Sequence, residues 1–162
     1  MHRPHDFCPY CGAALARTDW PRTCTGCARI SYLNPAPVVV LLQPVDDGLL
    51  VVRRGIGPGR GLLALPGGFI DFGETWQEGC ARELLEETGV VVDPADVVLE
   101  GVESTGQHVL VFGRGPVLSG ATLPAFVANA ECTERAVIFE AVELAFALHT
   151  EAAVRWFGGA IR

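Results

Sequence analysis

The chain has 162 residues, 49% of them hydrophobic and 19% charged, enough apolar material for one well-buried domain and at most a small appendage. Its formal net charge of −7 argues against a general affinity for nucleic acid or anionic membrane, since both rest on clustered Lys and Arg. No apolar run exceeds five residues, as at Val38 to Leu42, whereas a membrane helix needs about 20. Met1 to Asp6 lacks the charged and then apolar pattern of an export signal, so the expectation is a cytoplasmic protein with no membrane partner.

In chain order, the first feature is a pair of Cys-x-x-Cys motifs, Cys8-Pro9-Tyr10-Cys11 and Cys24-Thr25-Gly26-Cys27. Each pair can turn two thiolates toward one tetrahedral ion, and four thiolates leave no open position for a reacting water. The expectation is a structural Zn²⁺ that replaces a core in a segment too short to bury one. A redox dithiol would not need a second matching pair, and local disulfides would call for an export signal. His2 and His5 read as a solvated tail, because four cysteines already satisfy the metal. The domain boundary is expected near Asn34-Pro35, giving a ribbon over 1–34 and a larger domain over 35–162.

Beyond it, Val38 to Leu42 reads as a buried strand and Leu49 to Arg53 as its hairpin partner, with Asp46-Asp47-Gly48 between them. Residues 55–61 hold four glycines and Pro58, which predicts a mobile loop. A helix is expected from about Thr75 to Thr88: Thr75 and Glu78 fit a capping box, and Gly89 sits at the C-terminal cap. Val97 to Ser104, His108 to Phe112 and Arg135 to Phe139 read as strands, and Thr150 to Phe157 as a closing helix. The class is mixed α/β with a largely β core flanked by helices. Cys80 and Cys132 read as small buried apolar residues.

At about 100° per residue, Glu83, Glu86 and Glu87 share one face of the expected helix, while Cys80, Ala81, Leu84, Leu85 and Thr88 gather on another. A solvated acidic surface is the plain alternative for such a cluster. The preceding Gly67-Gly68 turn, the adjacent Arg82 and three hard oxygen ligands favour a Mg²⁺ or Mn²⁺ site instead.

Gly68, five residues, Glu74, seven residues, Arg82-Glu83-Leu84, one residue, Glu86-Glu87, one residue and Gly89-Val90 resembles the complete Nudix box. A four-cysteine ribbon followed by Tyr32-x-Asn34-Pro35 and a strand is similar to the zinc-ribbon branch of that family. The resemblance implies an α/β/α sandwich with a mixed β-sheet and an N-terminal zinc ribbon. It also implies that Glu83, Glu86 and Glu87 bind Mg²⁺ or Mn²⁺ with help from the Gly68 backbone, that Arg82 orients them, and that Glu74 is a structural partner. A further acid from a later element is expected as ligand or base, with Glu134 first and Glu131 second. Arg53, Arg54 and Arg60 around the glycine loop are candidate phosphate contacts, and Gln107 is a further substrate candidate. His149 is expected to cap or pack the last helix.

The implied reaction is hydrolysis of the diphosphate linkage in a small-molecule nucleoside diphosphate derivative of the FAD, ADP-ribose or NADH class, giving two monophosphates. Gly106-Gln107 and Leu144-Ala145-Phe146 resemble the FAD and ADP-ribose branch. The Ser-Gln-Pro-Trp signature of NADH pyrophosphatases is missing, and Leu63 stands where relatives frequently carry tryptophan. Two other readings stand beside this one: a nucleoside triphosphate pyrophosphohydrolase and a nucleotide sensor without turnover. The ribbon's few strong bases, Arg3, Arg17, Arg22 and Arg29, favour a structural or dimerising role, and relatives often form homodimers.

Overall fold

The computed structural model describes residues 5–159; His2 and Arg3 lie outside them. The chain divides into two compact units, Met1–Pro35 and Ala36–Arg162.

In the first unit, β1 (Arg22–Thr23) and β2 (Ile30–Ser31) form a short antiparallel ladder. Its small core is Cys8, Leu15 and Cys24, with Trp20 and Cys27 packed beside them. So little buried area cannot offset the entropy of ordering this segment, so a cross-link of some kind is required. His5 is not a free tail: its ring meets Trp20 edge-on at 5.9 Å.

The second unit is a mixed α+β sandwich. One sheet runs in the order β7-β3-β9-β8, where β3 is Ala36–Leu42, β7 Gly67–Phe69, β8 Val98–Ser104 and β9 His108–Arg114. β3 lies parallel to β9 and antiparallel to β7. The other sheet is antiparallel, with β5 (Gly48–Arg54) between β10 (Cys132–Ile138) and β4 (Pro44–Val45), and β6 (Leu63–Ala64) also pairing with β5.

Alternate residues of β3 and β5 face opposite layers, as the period of two dictates. Val40, Leu42, Leu49 and Val51 pack toward α2 (Ala147–Phe157) around Trp156. Val39, Leu41 and Leu50 pack toward α1 (Trp76–Thr88) around Cys80 and Leu84.

The expected hairpin between Val38–Leu42 and Leu49–Arg53 does not form. The chain leaves one sheet at buried Gln43 and enters the other, so the Asp46-Asp47 turn closes only β4 onto β5, with Pro44 opposite Leu49. Both runs are apolar because each is covered on two faces, and burial of that kind does not name a partner. Gly67-Gly68 was expected as a turn and is strand β7. The last helix starts three residues earlier than expected, and β10 starts at Cys132. Among the described residues, no helix is long and apolar enough to cross a membrane.

Candidate active site and cysteine cluster

Helix α1 is marked at both ends by its own sequence. Thr75 accepts from the Glu78 N–H at 3.3 Å while Glu78 accepts from the Thr75 N–H at 2.7 Å, and Gly89 closes the helix in the left-handed conformation at φ 76°. Its last carbonyls are satisfied from outside: Asn129 Nδ2 donates to Glu86 O at 3.1 Å and Arg135 to Thr88 O at 2.7 Å. Cys80, Leu84 and Thr88 are buried as expected, but Leu85 is 47% exposed, since it sits at the edge of the packed stripe.

The three glutamates occupy a gradient of burial across the face they share. Glu87 is only 7% exposed, and its Oε2 accepts from the Gly67 N–H at 3.0 Å. Burial pushes its carboxyl up to about 7, the charge of Glu83 adds to the rise, and the Gly67 N–H partly offsets it. Glu83 is also raised, chiefly by burial, with Arg82 opposing and the charges of Glu86 and Glu131 reinforcing. Glu86 is mostly exposed. Carboxylates held close in this manner favour protons or a cation over empty charge.

Arg82 ties the set together. It grips Glu74 with two bonds of 2.8 and 3.0 Å, reaches Glu83 at 2.7 Å and Glu86 at 3.1 Å, and donates to Phe69 O at 2.9 Å. That fork of fixed donors holds the Glu74 carboxyl below its usual range. The close approach of β7 completes the arrangement. A Cβ at Gly68 would lie 2.6 Å from Glu83 Cδ, and one at Gly67 would lie 2.9 Å from Val40 Cα. Only glycine lets this strand run against both the carboxylates and β3.

The two later acids part company. A bulge between Cys132 and Glu134 re-aims β10, so that Glu134 pairs with Arg53 at 2.5 Å. It is Glu131 whose charge is felt at Glu83 and at Cys132, and Cys132 in turn interacts with Glu87. Burial pushes the Cys132 thiol up to about 12, so it stays protonated.

Arg53 also donates to Gly61 O at 2.9 Å and so fastens the glycine loop. Arg54 donates to Pro58 O at 2.7 Å, lies 5.0 Å from the Phe146 ring, and carries a charge felt at Glu87. Arg60 and Gln107 are exposed on their loops. Beside β7 opens a cleft of about 570 Å³, lined in part by Gly67, Gly68, Phe69, His108, Phe146 and His149. Phe69, His108 and Cys132 carry no motif and are not legible as site residues in the sequence, whereas Phe146 stands in the Leu144-Ala145-Phe146 match without being singled out; a lone aromatic on a strand looks like core until the fold turns it into a wall.

In the ribbon, the four Sγ atoms of Cys8, Cys11, Cys24 and Cys27 lie within 4.8 Å of one another. Cys8 and Cys27 are 3.7 Å apart, and Cys11 and Cys24 3.6 Å. These separations are far too long for disulfides and match the edge of roughly 3.8 Å in a tetrahedron with about 2.3 Å metal–sulfur bonds. Burial raises the Cys8 thiol, but the Tyr10 and Cys11 N–H groups together with the Cys24 and Cys27 thiols lower it by more and leave Cys8 at about 7. The cluster fits a zinc ribbon.

The family model described as NUDIX domain matches residues 33–157. The chain belongs to the Nudix family. A crystal structure of a NUDIX hydrolase from Nitrosomonas europaea is similar over 94% of this chain and 90% of that one, at 27% identity and a TM-score of 0.81. Similar too, with a TM-score of 0.57 and 28% identity, is a bifunctional NMN adenylyltransferase/ADP ribose pyrophosphatase from Francisella tularensis complexed with AMP and Mn ion, over 66% of this chain and 34% of that one. Among curated proteins, the NAD-capped RNA hydrolase NudC of Enterobacter sp. (strain 638) is 33% identical over 94 residues, or 57% of this chain. The match spans only 36% of that relative's length. The chain is thus a Nudix-family protein of mixed α+β fold.

Proposed function

We propose that this Nudix-family protein is a hydrolase that cleaves the diphosphate linkage of a nucleoside diphosphate derivative into two monophosphates, with Mg²⁺ or Mn²⁺ held by Glu83, Glu86 and Glu87. The observation that supports it most is the pairing of the carboxylate face with an aromatic cleft across the same Gly67-Gly68 strand. A bridged substrate fits such a layout, with its diphosphate at the acids and one organic group in the cleft.

The donors suit the metals. They are carboxylate oxygens, hard ligands of the kind Mg²⁺ and Mn²⁺ prefer, and burial with the nearby Glu83 charge raises Glu87, a penalty that a bound cation would offset. When bound, divalent cations neutralise charge developing on the phosphoryl oxygens and acidify water. The protein's own part is positional. Arg82 fixes Glu83 and Glu86, the Gly67 N–H fixes Glu87, and the nearby Glu131 is the acid we assign to accept the proton of the attacking water. Arg54, between Glu87 and Phe146, is the arginine we assign to phosphate; Arg53 is committed to Glu134. The cysteine cluster is assigned a structural Zn²⁺, because four thiolates leave no open position.

A turnover screen over FAD, ADP-ribose, NADH, NAD⁺, dinucleoside polyphosphates and nucleoside triphosphates tests the reading, with products separated by chromatography. The names of the relatives add NAD-capped RNA to that panel and give weight to ADP-ribose. Expected are AMP and ribose 5-phosphate from ADP-ribose, or AMP and FMN from FAD. Pyrophosphate released from triphosphates, with no AMP from any bridged substrate, overturns the substrate class; tight binding without product favours a sensor.

A further inference from the structure

We propose that His149 determines specificity in the aromatic cleft, donating its Nε2–H to an acceptor atom in the plane of the substrate's purine or flavin ring system. The inference rests on the nucleotide reading above, and it concerns the end of the substrate farther from the carboxylates.

His149 sits in the first turn of α2 and is 6% exposed, yet it lines the cleft. The Leu65 N–H donates to its Nδ1 at 3.2 Å, so Nδ1 carries no proton and the neutral ring must carry its proton on Nε2. Two rings set its direction: Phe146 at 4.9 Å and 62°, and Phe112 at 6.3 Å and 80°. Burial and the nearby charge of Arg54 push the imidazole down to about 4, so the same tautomer persists at neutral pH.

Nothing among the described residues accepts from Nε2. Among the described residues, the enclosed side-chain polar atoms without a partner are Ser31 Oγ and Gln43 Oε1, so Nε2 is not sealed in the core and opens onto the cleft. Nor does the side chain cap α2: the N-cap residue Phe146 makes no side-chain cap bond, and it is Thr150 whose Oγ1 accepts from the Leu144 N–H and donates to Phe146 O. A tautomer locked by the backbone, oriented by two rings and aimed into an apolar cleft is a preorganised donor. The rest of the cleft selects for a flat aromatic group. Phe69 and His108 stand 5.9 Å apart on one side, and Phe146 lies under the Arg54 guanidinium on the other. A purine offers ring nitrogens in its plane, and a flavin offers carbonyl oxygens; both present what a lone N–H requires.

Two variants separate this role from a structural one. In His149→Asn the Oδ1 atom takes the place of Nδ1 and keeps an acceptor for Leu65, but no donor reaches the Nε2 position. In His149→Gln the amide N–H reaches the Nε2 position, while the Leu65 acceptor is lost. Binding of AMP and of FMN to the full chain is measured by calorimetry, without turnover, with 1-, 3- and 7-deaza-AMP mapping the acceptor. For whichever nucleotide the parent binds, Asn is expected to weaken binding about tenfold or more and Gln to recover most of it. If AMP is that nucleotide, one deaza analogue should lose the same factor in the parent and nothing further in Asn. The reverse order, Asn tolerated and Gln impaired, marks a structural role and overturns the proposal, as does failure of the parent to bind either nucleotide. Nitrogen NMR of the unmutated protein at pH 7 should show His149 neutral, protonated on Nε2, with that N–H shifting on ligand addition; an Nδ1-protonated or unshifted ring overturns it. Because these readouts need no hydrolysis, failure of the diphosphatase reading in the turnover screen is distinguishable from failure here.

Discussion

Replacing Glu87 by Gln is expected to stabilise the protein at pH 8 in buffer free of Mg²⁺ and Mn²⁺ while removing most of its activity. Burial and the neighbouring Glu83 raise the Glu87 carboxyl from 4.5 to about 7. The folded state therefore holds this proton more tightly than the unfolded chain does. The associated stability is complete below about pH 4.5 and is lost as pH rises through about 7. At about 1.4 kcal/mol per pH unit, the buried charge costs the folded state roughly 3 kcal/mol at pH 8. Gln is neutral at every pH, nearly the same shape, and still offers an oxygen to the Gly67 N–H. The variant should gain up to that amount at pH 8, a rise in Tm of about 6–12 °C for a protein of this size, and almost nothing at pH 4.5. Thermal unfolding of both proteins across this range reads the difference. Adding Mn²⁺ should then raise the parent's Tm and leave the variant's nearly unchanged. A variant no more stable than the parent at pH 8, or equally stabilised at both pH values, would refute the reasoning.

Gly68→Ala puts a methyl group against the Glu83 carboxylate, so activity should fall by on the order of a hundredfold with a small change in Tm; near-normal kcat/KM would show that Glu83 is not held by this contact. Purified protein should contain about one zinc per chain, and Cys24→Ser should release it and expose residues 5–35 to protease while leaving the circular dichroism of α1 intact. Disulfides in place of zinc in freshly reduced protein would contradict the cluster's assignment.

Where local chemistry decides structure, the sequence is a good guide. Thr75, Glu78 and Gly89 mark both ends of α1 because caps depend on residues three or four apart, and the two Cys-x-x-Cys pairs converge to a spacing that suits one tetrahedral ion. What depends on the partner across a sheet is hidden. Val38 to Leu42 and Leu49 to Arg53 are both apolar on two faces, so nothing in them tells that they belong to different sheets. Glu134 and Glu131 look equivalent in the chain, and only the bulge at Thr133 sends one to Arg53 and leaves the other near Glu83. The cleft is built from single aromatics on β7, β9 and the approach to α2, Phe69, His108 and Phe146, 38 to 77 positions apart with no spacing to betray them. Of the phosphate candidates, Arg53 and Arg54 are adjacent in sequence yet face opposite sides of β5, which alternation predicts but which does not say which side holds the site.

The central claim, that the carboxylate face of α1 performs the hydrolysis, is tested most directly by the turnover of Glu83→Gln, Glu86→Gln and Glu87→Gln on a bridged diphosphate at saturating Mg²⁺ or Mn²⁺. A neutral amide cannot replace a charged oxygen ligand, so each variant should keep its fold, and Glu83→Gln and Glu87→Gln should lose on the order of a hundredfold or more in kcat. Folded variants that all retain near-normal turnover would place the chemistry elsewhere.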